Sequence, residues 1–161
     1  RELKSMGAKA IVLDLRYNGG GLLDRCIDIA NLFVPQGTVV TVKGKSIDET
    51  SYGSQGSGLG MPLIVLVNEG TASASEILAG AIQDYEVGTL VGATTFGKGL
   101  VQNSFKLKDG SVVKVTIAEY VTPKGRSIHG TGLTPEIVVE GDDEQLAKAF
   151  ELARVEIDKD L

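Results

Sequence analysis

Two spacings of apolar residues alternate along the chain. Ala10–Arg16 (AIVLDLR) and Leu63–Val67 (LIVLV) are nearly unbroken aliphatic runs, as expected of strands covered on both faces. Leu22–Val34 instead repeats at helical spacing, with Leu22, Leu23, Cys26, Ile27, Ala30 and Phe33 on one side, and Pro35–Gln36–Gly37 ends it. A second helix is predicted from Ser73 or Ser75 to Asp84, because Ile77, Leu78, Ala81 and Ile82 share a face and Glu76 suits the positive first turn. Thr38–Lys43 alternates as a strand, and Val87–Val91 is a short one. Leu100–Leu107 and Val112–Val121 form a hairpin turning at Lys108–Asp109–Gly110, and Pro135–Glu140 is a last short strand. Asp142–Leu161 is a charged amphipathic helix, suited to packing on the outside of the domain or to assembly. Gly44–Gly60, rich in glycine and serine, reads as a mobile surface loop, either inert or a lid. Helices alternating with aliphatic strands predict an α/β fold, with a mainly parallel sheet and a later antiparallel hairpin.

Composition adds limits. The 161 residues, 42% of them hydrophobic, suit one domain with a real core. The net charge of −5 argues against nucleic acid or an anionic membrane as partner, and no 18-residue apolar run is present. The single cysteine, Cys26, excludes an internal disulfide and a cysteine-rich metal site; on the apolar side of its helix it is expected in the core. No metal or cofactor is indicated.

The candidate chemistry lies between Asn68 and Gln102. There an aliphatic strand runs into the turn Asn68–Glu69–Gly70, and the small residues Thr71–Ala72–Ser73–Ala74–Ser75 lead into a helix. A hydroxyl at that point faces N–H groups and a dipole that favour a developing oxyanion. Further on, Lys98 sits between Gly97 and Gly99 rather than on a solvated helix face, and is the candidate base. Free lysine, with a pKa near 10.4, is unprotonated in roughly one molecule in a few thousand at neutral pH. Bringing it to about 7 or 8 costs on the order of 3–4 kcal/mol of ammonium solvation. Phe96, Val101 and the flanking glycines are expected to supply an apolar pocket, and Gln102, four residues on, an uncharged hydrogen-bonding partner for the amine. Upstream, Asn18–Gly19–Gly20–Gly21 permits a tight turn and close approach to a ligand.

These residues resemble the carboxyl-terminal processing peptidases, also called tail-specific proteases. LDLRYNGGG, ASASEILAGAIQDY, TFGKGLVQ and YVTPKGRSIHGTGLTPEI occur in that order and span nearly the whole chain. The resemblance implies a ClpP/crotonase-like core. It also implies a serine endopeptidase with a Ser–Lys dyad, Ser73 being the nucleophile, Lys98 the base 25 positions later and Gln102 four further on. The oxyanion hole is carried over to the amides of Gly20 and Ala74, with Gly19 as the alternative to Gly20 and standing where relatives often have proline. Protein or peptide substrates with exposed apolar C-termini and a periplasmic or cell-envelope location, or a plastid lumen, are likewise implied, and a homo-oligomer of the full-length protein is left open. Arg1–Lys9 reads as the tail of a helix ending near Gly7, so a catalytic-domain fragment is expected, without the secretion signal, PDZ module and opening strand that the family carries upstream.

Other residues have plainer expected roles. Asp14 and Arg16 form an ion pair or hydrogen-bond anchors at a strand end. Ser75 is expected as the helix cap, Thr71 as a turn residue, and Glu69 and Glu76 as structural or rim charges. His129, the only histidine, lies in a loop with no acidic orienter. Two further function classes compete with the peptidase: a binding module that keeps these residues without activity, and a crotonase-type acyl-CoA enzyme, which has no need of a glycine-framed lysine behind a helix-start serine.

Overall fold

The computed structural model describes residues 2–44 and 47–159. Arg1, positions 45 and 46 of the predicted loop and positions 160 and 161 of the predicted last helix lie outside them. The described elements are α1 (Glu2–Ser5), β1 (Ile11–Asp14), α2 (Leu23–Phe33), β2 (Pro35–Lys43), β3 (Thr50–Ser57), β4 (Leu63–Val67), α3 (Ala74–Asp84), β5 (Thr89–Gly92), β6 (Leu100–Lys106), β7 (Val112–Val121), β8 (Ile137–Val138) and α4 (Asp142–Lys159).

They build a mixed α/β fold with two four-stranded sheets. The first is wholly parallel, in the order β1-β4-β5-β8; the second is wholly antiparallel, in the order β3-β2-β7-β6. Parallel pairing therefore covers half of the strands rather than most of them. Gly44–Gly60 was expected as a loop, yet its second half is β3, paired with β2 from Thr50 to Ser57. Its glycines and serines carry no alternating apolar signal, but the neighbouring strand supplies backbone partners and needs little from the side chains.

β4 explains why the aliphatic run is continuous. All five of its residues are buried. Leu63, Val65 and Val67 belong to the cluster with α2 and α3 (Cys26, Ala30, Ile77, Leu78, Ile82). Ile64 and Leu66 belong to the cluster with Ala149 and Ala153 of α4. With helices on both faces, each such side chain contributes about 1.5–3 kcal/mol by burial. The C-terminal ends of β1 and β4 are tied together: Thr71 Oγ1 donates to Leu15 O at 2.7 Å and accepts the Asn68 N–H at 3.0 Å. Among the described residues no helix is long and apolar enough to cross a membrane.

Candidate functional site

Past the end of β4, the turn 68–70 and Thr71–Ala72 bring the chain to Ser73, whose φ is +56° and ψ −120°. A non-glycine residue in that region costs on the order of 1–3 kcal/mol and persists only where its surroundings over-determine it; such residues cluster at active sites. Ser73 is half-buried and is itself the N-cap of α3. Ser75, expected to be the cap, lies inside the helix and is buried. Ala74, the first helical residue, carries an amide that the helix cannot satisfy.

The surroundings that hold Ser73 centre on Glu76. Its side chain is fully buried, so it is not a rim charge. Oε2 accepts the N–H of Ser73 at 2.9 Å and of Lys98 at 2.8 Å. Oε1 accepts the N–H of Gly97 at 2.7 Å and the hydroxyl of Thr95 at 2.5 Å. One carboxylate oxygen thus touches the backbone of both Ser73 and Lys98, and four donors offset the cost of burying the carboxylate. This role was missed in the sequence, although Ser73-x-x-Glu76 has the spacing of a capping box.

The same arrangement sets the exposure of Lys98. Because the amides at 97 and 98 turn inward onto Glu76, the side chains on this segment turn out: Phe96 is 66% exposed and Lys98 is exposed. The apolar pocket expected from Phe96 is therefore not formed around the amine. The glycines beside Lys98 have a different use. A Cβ at Gly97, where φ is +85°, would lie 2.9 Å from Gly132 N, and one at Gly99 would lie 2.6 Å from His129 N. They let the lysine segment lie against the backbone of the 128–132 loop, to which Gly97 O is bonded through the Gly130 N–H at 2.9 Å. His129 itself is exposed. Gln102 is exposed on β6, just past a bulge, and its amide donates to Thr116 Oγ1 at 3.5 Å rather than to the lysine.

From the other side, the turn 18–21 reaches Ser73. A Cβ on Gly20 (φ +90°) would lie 2.7 Å from both Ala74 N and Ala72 O and 3.0 Å from Ser73 Cβ, so only glycine fits. In this arrangement the Gly20 N–H donates to Asn18 Oδ1 at 3.0 Å, while Gly19 meets open space. Beside Gly20 and Ala74 lies a cavity of about 170 Å³, lined chiefly by Leu15, Leu22, Cys26, Ile29 and Leu78. Cys26 donates its thiol to Ala74 O at 3.3 Å, and burial pushes its pKa up to about 12.

At the far end of α3, the buried Asp84 carboxylate accepts the Lys124 N–H at 2.7 Å and pairs with Arg126. Asp14 and Arg16 form the expected ion pair at 2.7 Å, and the hydrogen-bonded guanidinium holds the Asp14 carboxyl below its usual range.

The model of peptidase family S41 matches residues 1–139. The chain belongs to that family. It is 50% identical over 140 residues to a carboxyl-terminal-processing protease of Synechocystis sp., covering 86% of this chain and 33% of the relative. It is 46% identical over 138 residues to a probable CtpA-like serine protease of Staphylococcus aureus, covering 83% and 28%. The structure of a photosystem II D1 C-terminal processing protease superposes with a TM-score of 0.79 at 42% identity, over 86% of this chain and 36% of that one. The chain thus spans about a third of the length of the relatives it matches. The fold recurs at lower identity: the tricorn protease gives a TM-score of 0.62 at 18% identity over 92% of this chain.

Proposed function

We propose that this S41 chain carries the catalytic residues of a serine endopeptidase that cleaves protein substrates near their C-termini for processing or degradation, on a core of the ClpP/crotonase type. The observation that carries the reading is the strained Ser73 at the start of α3, held by the same carboxylate that holds the Lys98 backbone. In this scheme Lys98 takes the proton from Ser73 Oγ, which attacks the substrate carbonyl. The resulting oxyanion lies against the amides of Ala74 and Gly20, the latter exchanging Asn18 Oδ1 for the substrate oxygen. Lys98 then protonates the leaving amine and activates the water that releases the acyl group.

Lys98 is solvated here, so the scheme requires the bound substrate to cover the amine and exclude water from it. In the scheme Gln102 exchanges Thr116 Oγ1 for the amine once the substrate is bound. The apolar cavity beside Ala74 suits an aliphatic substrate side chain, and an extended peptide is held mainly through its backbone. With this reading goes a proposed periplasmic, cell-envelope or plastid-lumen location.

The test is cleavage of an unfolded protein with an apolar C-terminus, together with labelling by a fluorophosphonate. Ser73→Ala is expected to abolish both. Lys98→Ala is expected to lower cleavage at least about 10³-fold, as loss of a general base and proton donor does. A folded parent protein that neither cuts nor labels, or a Ser73→Ala variant as active as the parent, overturns the reading.

A further inference from the structure

The family match ends at residue 139, three residues before α4 begins at Asp142. Yet the first turn of α4 is bonded to the two residues that precede the 18–21 turn. Arg16 Nη1 donates to Asp142 O at 2.6 Å and to Gln145 Oε1 at 3.5 Å, while its Nε and Nη2 hold Asp14. The Tyr17 hydroxyl donates to the Asp142 carboxylate, 3.0 Å from Oδ2 and 3.1 Å from Oδ1, and that contact raises the pKa of the phenol.

Tyr17 is an unusual place for such a bond. Its φ is +57°, a conformation disfavoured for an aromatic residue, and the residue is 64% exposed, with its backbone and one ring edge against Gly70, where a Cβ would lie 2.8 Å from Tyr17 Cα and 2.9 Å from Cδ1. Polar contacts hold the two ends of Tyr17: the hydroxyl on Asp142, and its N–H on Asn68 Oδ1 at 2.9 Å. From there the path to the site is short. Asn18 O accepts the Ala72 N–H at 3.0 Å, one residue before Ser73, and Gly20 lies against Ala74 N.

We infer that α4, through Asp142 and Gln145 acting on Arg16 and Tyr17, positions the 18–21 turn against Ser73 and Ala74, so that Asp142 and Tyr17 are positioning residues for the peptidase reaction. This rests on the reading of Ser73 and Gly20 given above. Loosening Tyr17 frees the turn to leave Ala74, which withdraws a donor from the oxyanion and loosens the Gly20–Gly21 side of the cavity beside Ala74. The rate constant falls by more than binding does.

The experiment compares Tyr17→Phe, Asp142→Ala, Asp142→Asn and the double variant Tyr17→Phe/Asp142→Ala with the parent protein, measuring kcat and KM, thermal melting, and hydrogen exchange of the amides at 17–21. Tyr17→Phe and Asp142→Ala are each expected to lower kcat about 5–10-fold with KM within about twofold, and to speed exchange at 17–21 with little change in melting. Asp142→Asn, which still accepts from the phenol, is expected to recover most of the rate, and Tyr17→Phe is expected to cost nothing further in the Asp142→Ala background.

Parental kcat and parental exchange in folded variants overturn the inference. So do independent, additive losses in the double variant. If the parent protein is inert, the peptidase reading fails instead, and exchange at 17–21 alone decides the clamp: unchanged protection in Asp142→Ala sinks it.

Discussion

Glu76 is the residue on which the site's geometry turns. It was legible as a helix-start acid but not as the link between Ser73 and Lys98, because three of its four donors come from positions 95, 97 and 98. Only the fold brings these to the start of α3. Glu76→Gln is expected to unfold more easily by about 2–4 kcal/mol, since the new NH₂ faces N–H donors in a fully buried place. Activity at temperatures where it stays folded should fall by more than about 10²-fold, because Ser73 and Lys98 lose their shared support. Denaturant titration and cleavage rates test the two parts separately. Ser73 makes a second case. Its positive φ predicts that Ser73→Gly is more stable than Ser73→Ala by about 1 kcal/mol, with both expected to be inactive under the proposed function; equal midpoints in denaturant contradict stored strain there. Lys98 shows the limit of local reading: glycine flanks suggested an enclosed amine, whereas those glycines serve contacts with the 128–132 backbone.

The helices and the long aliphatic strands were readable to within a residue or two, because burial on defined faces imposes a period on the side chains. α2, predicted over 22–34 and found at Leu23–Phe33, is one example; β3 is the counter-example, since backbone pairing with β2 leaves no mark on side-chain type. The apolar face of α2 also carries a prediction about pH. Cys26 has its pKa raised from 9.0 to about 12 by burial. An unfolded chain therefore releases this proton at lower pH than the folded one. The stabilisation is complete below pH 9 and is lost as pH rises from 9 towards 12. Thermal melts over that range are expected to fall more steeply for the parent than for Cys26→Ala, and parallel curves refute the assignment. For the same reason the native thiol should resist alkylation at pH 8 under conditions in which the denatured chain reacts fully.

Taken whole, the molecule is a parallel sheet covered by α2 and α3 on one face and α4 on the other, joined to an antiparallel sheet that carries the strand after Lys98. Ending the chain at residue 140 would uncover Ile64, Leu66 and Val91. That loss is expected to cost several kcal/mol and to produce aggregation on heating; a soluble truncated chain with the parent's melting temperature speaks against α4 as part of the core. The sequence by itself determined the α/β class, the place of most elements, the membership suggested by four ordered motifs, and the candidates Ser73 and Lys98, with Gly20 and Ala74 implied by the family resemblance. Spacing along a chain records burial periodicity, turn chemistry and the order of motifs, and these are local properties. Only the tertiary structure decided that half of the strands pair antiparallel, that Glu76 bridges Ser73 and Lys98, that Gln102 bonds Thr116, and that α4 reaches back to Arg16 and Tyr17. Each of those depends on contacts between segments tens of residues apart, whose pairing is set by which surfaces must be buried together and which buried donors still need acceptors.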